Sequence, residues 1–392
     1  MPLSCFSISR LPRILFGAGE FSRLASEIAG YGDQVLIVTG GSSFTDRSHW
    51  GVLQSELKNL GISWSLIRIP GEPSPEWIDQ AVAKHKKANF KVVVGIGGGS
   101  PLDAAKAIAG LLPQGNSVMD HLEGVGRGVT FVGPSLPYIA VPTTAGTGSE
   151  MTKNAVLSCS EKGFKKSFRD EQLTAQVAIV DPDLLASCPR PQLVANAMDA
   201  FTQLLESYTS PRSNPITDAL ALSGIEYFLL GFSKNSEADL AGPEYLAYAS
   251  MISGICLAQT GLGAVHGIAA ALGAHFSIPH GVACGTTLAA VTKTNIAALK
   301  ERQPDAIALN RYAQVGRLLS HQLEMDQQSA LTALEKTLWS WTEILEIPKL
   351  SHYAMTAADV DQIIAESGGN SMKTNPLVLT TQELKEILLE RL

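Results

Sequence analysis

Long uninterrupted apolar runs are missing from this sequence. No stretch of ~18 residues is free of charged or polar breaks, so no membrane-spanning helix is expected. The opening MPLSCFSISRLPRILFGAGE has no long apolar segment and no cleavage pattern, so no signal peptide is expected. Charge is sparse: 17% of residues are charged and 45% are hydrophobic. That balance excludes a disordered chain and argues for a large buried core. The net charge of −7 is mild and makes no electrostatic case for nucleic acid or an anionic membrane. Cysteine is scarce and scattered: Cys5, Cys159, Cys188, Cys256 and Cys284, with no CxxC pair. A zinc knuckle or a disulfide framework is therefore not expected, and reduced thiols in the cytoplasm fit better. Cys284 reads as a buried small hydrophobe rather than a nucleophile. There is no internal repeat and no low-complexity tract.

Against that background one stretch stands out, Gly261 to Gly281, GLGAVHGIAAALGAHFSIPHG. It is small, apolar and glycine-rich, yet it carries three of the eight histidines, His266, His275 and His280. Imidazoles set in an apolar frame are costly unless each has a partner. A metal ion, a bound cofactor or a hydrogen-bond network could supply one. Pro279 and Gly281 mark a helix break around His280. Upstream, Asp199 and Gln203 are four apart, so on a helix both side chains leave one face. A carboxylate, an amide and two imidazoles could close on one divalent cation. The alternative at each position is local: a cap or pair for Asp199, a hydrogen-bonded core place for the histidines.

The first half of the chain alternates strand and helix signals. RILF (13–16), QVLIVT (34–39), 63–69, KVVVGI (91–96), 137–140 and QVAIV (176–180) read as strands, with helical spacing over 20–29, 50–60 and 76–88. The strands are continuous apolar runs, as expected of a parallel sheet covered on both faces. Repeated β-α-β predicts a doubly wound, Rossmann-like α/β domain. The strand ending at Ile96 runs into Gly97-Gly98-Gly99-Ser100-Pro101. Three glycines let the backbone approach a ligand, Ser100 is placed to cap the helix that Pro101 opens, and a helix N-terminus binds phosphate. The next such turn, 142–150, is dense in hydroxyls and glycines, with Thr143, Thr144, Thr147 and Ser149. Plain strand-to-helix and polar turns remain the alternatives. From about Pro189 strand signals disappear, and long helical segments follow over 192–208, 217–230, 242–257, 305–324 and 328–343, with terminal helices over 357–367 and 381–389. This predicts two domains, 1–186 α/β and 187–392 all-helical.

Several motifs together resemble the iron-containing (group III) alcohol dehydrogenase family. They are GGGSPLDAAKAIAG (97–110), PTTAGTGSEMTKNAV (142–156), MDAFTQLLESYTS (198–210), GLGAVHG (261–267) and IPHG (278–281), with RILFGAG near the start and NPLVLT near the end. The match runs nearly end to end in preserved order. The resemblance implies an N-terminal α/β domain that binds NAD or NADP, and an all-α metal-binding domain across a cleft, the dehydroquinate synthase-like fold. It implies hydride transfer between nicotinamide and a small alcohol or carbonyl. Carried over by position, Gly98, Gly99 and Ser100 would hold the pyrophosphate, with Gly97 and Asp103 also at the cofactor site. Thr143, Thr144 and Thr147 would contact the nicotinamide half, with Ser149 also at the cofactor site, Lys165 would reach the ribose region, and Asp199, Gln203, His266 and His280 would hold the metal. Fe(II) is the metal the family implies, with Zn(II), Mn(II) or none as the alternatives.

Three positions depart from the family pattern. Gln203 stands where the family usually has His, and a neutral amide oxygen binds Fe(II) or Zn(II) less well than imidazole. Ala270 stands where many members have a His that aids proton transfer, which leaves His275 as a catalytic candidate beside His266 and His280. Gly40 stands where NAD-preferring members often have Asp. Gly40-Gly41-Ser42-Ser43 has no carboxylate and suits a 2′-phosphate, which favours NADP. The apolar surroundings, Phe201, Leu262, Phe276 and Ile278, suggest a small alcohol or aldehyde rather than a polyanion. The family often forms homodimers or higher homo-oligomers. Gln203 keeps open a metal-independent keto-acid reductase resembling the maleylacetate reductases. A non-redox protein resembling the dehydroquinate synthases is the remaining alternative.

Overall fold

A computed structural model describes residues 5–231 and 242–392, without the side chains of residues 160 and 187. The chain divides into two compact units, Ser9–Cys188 and Pro189–Leu392, the second joined by residues 5–8.

The first unit is built in the order β1 (Arg13–Phe16), α1 (Leu24–Ala29), β2 (Gln34–Thr39), α2 (Ser48–Asn59), β3 (Ser63–Arg68), α3 (Pro75–His85), β4 (Val92–Gly97), α4 (Gly99–Leu111), β5 (Tyr138–Pro142), β6 (Asn154–Cys159), β7 (Phe164–Arg169) and β8 (Val177–Val180). Six strands form one sheet in the order β1-β8-β5-β4-β2-β3. Every pair in it is parallel, as in Val35 opposite Val92 and Val93 opposite Tyr138. Successive side chains point to opposite faces. Val35, Ile37, Val92, Val94 and Ile96 therefore pack with Leu24, Ile28, Leu53 and Leu57 from α1 and α2. Leu36, Val38 and Val93 pack with Ile78, Val82, Leu102 and Ile108 from α3 and α4. This double cover is why the strands read as unbroken apolar runs.

The element that periodicity did not reveal is the β6–β7 hairpin, which is antiparallel. Its signal is alternation: Ala155, Leu157 and Cys159 are buried while Asn154, Val156 and Ser158 are not. The hairpin adds Ala155, Leu157, Phe164 and Phe168 to the core on the α4 side.

The second unit contains α5 (Arg190–Thr209), α6 (Pro215–Gly231), α7 (Pro243–Thr260), α8 (Ala264–His275), α9 (His280–Arg302), α10 (Ile307–Ser320), α11 (Gln327–Ile344), α12 (Val360–Glu366) and α13 (Thr381–Glu390). Helix α5 is buried along nearly its whole length, as a helix surrounded by others must be. Phe201 on it packs against Phe228 of α6 in a tilted contact and edge-to-face against Trp341 of α11. Helix α9 was only half anticipated: the break before His280 is real, but a 23-residue helix follows it. Its two early glycines explain the omission and also the packing. A methyl at Gly281 would collide with the Ala195 carbonyl of α5, and one at Gly285 would press on Met198. No single helix among the described residues is long and apolar enough to cross a membrane, and α7 with α8, which match one together in length and composition, are bent by 98° at their break.

Candidate active site

Three helices of the second unit bring four side chains to one point. Asp199 comes from the middle of α5, His266 from the first turn of α8, and His280 and Cys284 from the first turns of α9. Their ligand atoms all lie within 4.8 Å of one another. His266 Nε2 is 3.1 Å and His280 Nε2 3.8 Å from Asp199 Oδ1. Cys284 Sγ is 3.6 Å from His266 Nε2 and 3.8 Å from His280 Nε2. Asp199 and Cys284 are fully buried and His266 nearly so, whereas the His280 side chain is 30% exposed and marks the open side of the group.

The start of α8 is held by side chains from elsewhere. Glu206, seven residues after Asp199 on the same face of α5, accepts the Val265 N–H at 2.7 Å through Oε1. Its other oxygen lies 2.6 Å from His266 Nδ1. A carboxylate only accepts, so Nδ1 is the donor and Nε2 is left to face Asp199. Asn375, from the late NPLVLT motif, accepts the Ala264 N–H at 3.1 Å. Two of the free N–H groups of the helix end are thereby satisfied without a local cap.

The charges are coupled. Burial pushes the Asp199 carboxyl up, but His280, His266 and the Gln203 amide outweigh it and hold it below the usual carboxylate range. Burial pulls His266 down, yet Cys284, Glu206 and Asp199 together hold it well above an ordinary imidazole. Burial pushes the Cys284 thiol up to about 12.

Gln203 adjoins this group in an orientation the sequence could not foretell. Its amide oxygen accepts the Ser253 hydroxyl at 2.9 Å and its nitrogen faces Asp199 Oδ1 at 3.4 Å. His275 is elsewhere: it is exposed and pairs with Glu366 of α12. Ala270 is likewise exposed. Cys284, read from the sequence as a small hydrophobe, is buried as expected but touches two imidazoles. The missed signal was His280-x-x-x-Cys284, a spacing that puts both on one helical face.

In the first unit the anticipated cofactor residues gather at the carboxyl ends of β2, β4 and β5. The chain runs from β2 outward to β3, then back across to β4 and on to β5. The crevice between β2 and β4 is therefore a topological switch point, where such sheets bind ligands. Gly40 follows β2, Gly97 ends β4, and Gly98 to Ser100 follow it. Gly97 has φ +149°, and a Cβ there would meet Pro101 at 2.6 Å. Helix α4 starts at Gly99 with the extended Gly98 as N-cap and no side-chain cap. This corrects the expectation that Ser100 caps a helix opened by Pro101, because glycine's freedom lets the helix begin earlier. The glycines lie against the hydroxyl loop: a Cβ at Gly98 would sit 3.1 Å from Thr144 Oγ1, and one at Gly99 3.1 Å from Thr147. Thr143 N–H donates to the Gly97 carbonyl at 3.0 Å. Gly98, Gly99, Ser100, Thr143, Thr144 and Thr147 are all partly exposed there.

Asp103, Ser149 and Lys165 have partners within the protein. Asp103 accepts from Ser149 Oγ at 2.5 Å and from the Val156 N–H at 3.0 Å. Lys165 of β7 pairs with Glu72. Ser42 sits in an exposed loop and accepts the Asp46 N–H through its carbonyl. The sequence reading missed Lys106. Fully buried, its ammonium donates to Ser149 O, Ser149 Oγ, Thr152 Oγ1 and Asn154 O at 2.7–3.0 Å, with Asp103 at 3.3 Å.

Comparison with known proteins shows the family and the fold. The model of the iron-containing alcohol dehydrogenases matches residues 12–182, and that of the Fe-containing alcohol dehydrogenase C-terminal region matches 193–392. The chain is 30% identical over 391 residues to alcohol dehydrogenase 4 of Schizosaccharomyces pombe, covering 99% of this chain and 89% of the relative. It is 30% identical over 395 residues to the NAD-dependent methanol dehydrogenase of Bacillus methanolicus, covering 96% and 97%. The solved alcohol dehydrogenase from Oenococcus oeni superposes with a TM-score of 0.88 at 25% identity, covering 99% of this chain and all of the other. Neither the keto-acid reductase nor the dehydroquinate synthase reading is favoured by these likenesses. The chain belongs to the iron-containing alcohol dehydrogenase family and is an NAD(P)-dependent oxidoreductase acting on CH–OH groups.

Proposed function

We propose that this chain interconverts a small alcohol and its aldehyde or ketone, with NADP as preferred carrier and a divalent metal held by Asp199, His266 and His280. The observation that carries the reading is the convergence of one carboxylate and two imidazole nitrogens in a buried group open on one side. That donor set fits a divalent first-row metal. When bound, the metal supplies Lewis acidity to the substrate oxygen, and the nicotinamide supplies or accepts the hydride.

The chain's own residues do the positioning. Glu206 fixes the His266 ring so that Nε2 faces Asp199. Ser253 anchors Gln203, whose amide steadies the Asp199 carboxylate. Burial of Asp199 and His266 excludes water from one side of the group, and His280 borders the side from which substrate approaches. In the first unit, the free N–H groups at the start of α4 receive the pyrophosphate, and Thr143, Thr144 and Thr147 contact the nicotinamide half. Asp103, Ser149 and Lys165 support these loops rather than touch the cofactor.

Two features support NADP. The end of β2 carries Gly40-Gly41-Ser42-Ser43 in place of a carboxylate. Arg68 is paired in register with Thr39 and donates to Thr45 Oγ1 at 2.9 Å, so an exposed guanidinium stands beside the strand end. An Arg at this place suits a 2′-phosphate.

The test is metal content of protein purified without chelator, beside NADPH and NADH oxidation with small aldehydes before and after EDTA. Near-stoichiometric metal, activity lost on chelation and restored by one ion, and a preference for NADPH that Arg68→Ala erodes are expected. Undiminished turnover by metal-free protein would overturn the metal reading; a preference for NADH would overturn the NADP reading.

A further inference from the structure

The family pattern leaves this chain one imidazole short, because position 203 is Gln. The structure places another donor beside the same point. Cys284 lies one turn after His280 on α9, and its sulfur is buried between the two imidazoles. We infer that Cys284 is the fourth metal ligand, so that the site is Asp199, His266, His280 and a thiolate in place of a third imidazole. The inference rests on the metal reading proposed above.

Three observations carry it. First, four of the six donor spacings are near those of a coordination shell, and all six lie within 4.8 Å. Metal bonds of about 2.0–2.1 Å to nitrogen or oxygen and about 2.3 Å to sulfur imply tetrahedral edges of roughly 3.3 Å between N and O and roughly 3.6 Å between N and S. The N–O separations here are 3.1 and 3.8 Å and the S–N separations 3.6 and 3.8 Å. Second, Gln203 has its oxygen engaged by Ser253 and turns its nitrogen, which cannot ligate, toward Asp199. Third, burial alone does not place a thiol this way. Cys256 is equally buried on the neighbouring α7, and its sulfur donates to the Thr217 carbonyl at 3.7 Å. On coordination the Cys284 S–H bond breaks, its proton passes to solvent, and a metal–sulfur bond forms.

A thiolate changes which metal suits the site. Gln203 by itself would turn preference toward oxygen-liking ions, whereas a soft sulfur beside two imidazoles favours Zn(II) over Mn(II) or Mg(II). Four protein ligands would hold the metal, and the substrate oxygen would have to add to that set.

The experiment loads metal-free full-length protein with one equivalent of Co(II) and records its absorption after gel filtration. Ligand-field bands with an intense near-ultraviolet sulfur-to-cobalt charge-transfer band are expected. Cys284→Ser should lose the charge-transfer band, and Cys256→Ser should keep it. Ligand-field bands without charge transfer, or charge transfer that survives in Cys284→Ser, would overturn the sulfur ligand and leave the proposed function standing. Failure to retain cobalt at all would overturn both. If Cys284→Ser does not fold, X-ray absorption of the Zn(II)-loaded wild type decides. A sulfur scatterer at about 2.3 Å supports the ligand, and nitrogen and oxygen neighbours alone overturn it.

Discussion

Glu206 engages both carboxylate oxygens at the start of α8, one with a backbone N–H and one with His266. Glu206→Gln sets an amide NH2 against one of those two donors. Metal affinity should fall about 10- to 100-fold, as for other groups that orient a metal-binding histidine. Competition with a chromophoric chelator reads this directly, and an unchanged affinity would remove Glu206 from the orienting role. Gly281 acts through contact rather than conformation. Its missing Cβ lets the first turn of α9 lie on the backbone of α5 at Ala195, which carries His280 to Asp199. Gly281→Ala should cost about 1–3 kcal/mol as an overpacking change and weaken metal binding as well. Urea unfolding of the metal-free protein gives the first effect and chelator competition the second.

Helix α4 is locked to the β6–β7 hairpin and to the hydroxyl loop by the buried Lys106–Asp103–Ser149 network. Breaking a buried pair by removing one partner typically costs about 3–5 kcal/mol, because the other charge stays buried. Lys106→Ala should fall in that range by denaturant unfolding and should weaken NADPH binding by loosening Gly98 and Thr144. Lys106→Met with Asp103→Leu should recover much of the stability, because no uncompensated charge remains. Beside this network Glu150 is buried, and burial raises its carboxyl from 4.5 to about 7. Between those values the folded state keeps a proton that the unfolded state has released. Stability therefore falls as pH rises through that window and is level above it. The difference corresponds to about 3 kcal/mol. Glu150→Gln should remove that part of the slope, and the gap between wild type and variant in urea midpoint at about pH 5 and about pH 8 checks it.

At the scale of the whole molecule, each of the two units has its own core and its own proposed ligand. Metal at about 100 times its Kd should add about 2.7 kcal/mol to the unfolding of the helical unit. NADPH at a similar ratio should do the same for the α/β unit. Calorimetry with each ligand alone and with both separates the contributions. A Gly98→Val variant should lose the NADPH shift and keep the metal shift, because the added side chain meets Thr144.

Much of this was legible in the residues themselves. Unbroken apolar runs such as QVLIVT require a sheet covered on both faces, and the observed parallel sheet has that cover. The triple glycine at the end of β4 and the histidines set in the apolar 261–281 stretch announce a close approach and a costly polar group, whatever the rest of the chain does. Local pattern also carried most of the long helices, α9 excepted, because their spacing is a property of neighbours in sequence. Long-range contacts decided the remainder. Asp199 lies 67 residues before His266 and 85 before Cys284, and α9 reaches it because Gly281 and Gly285 let that helix settle on α5. Whether Gln203 offers oxygen or nitrogen depends on Ser253, fifty residues away. Asp103 and Ser149 lie 46 residues apart in two motifs, and only the packed structure joins them through the buried Lys106. Composition and spacing set the kinds of group available and their local faces. Packing between distant segments set which of them touch, and so which can share a metal.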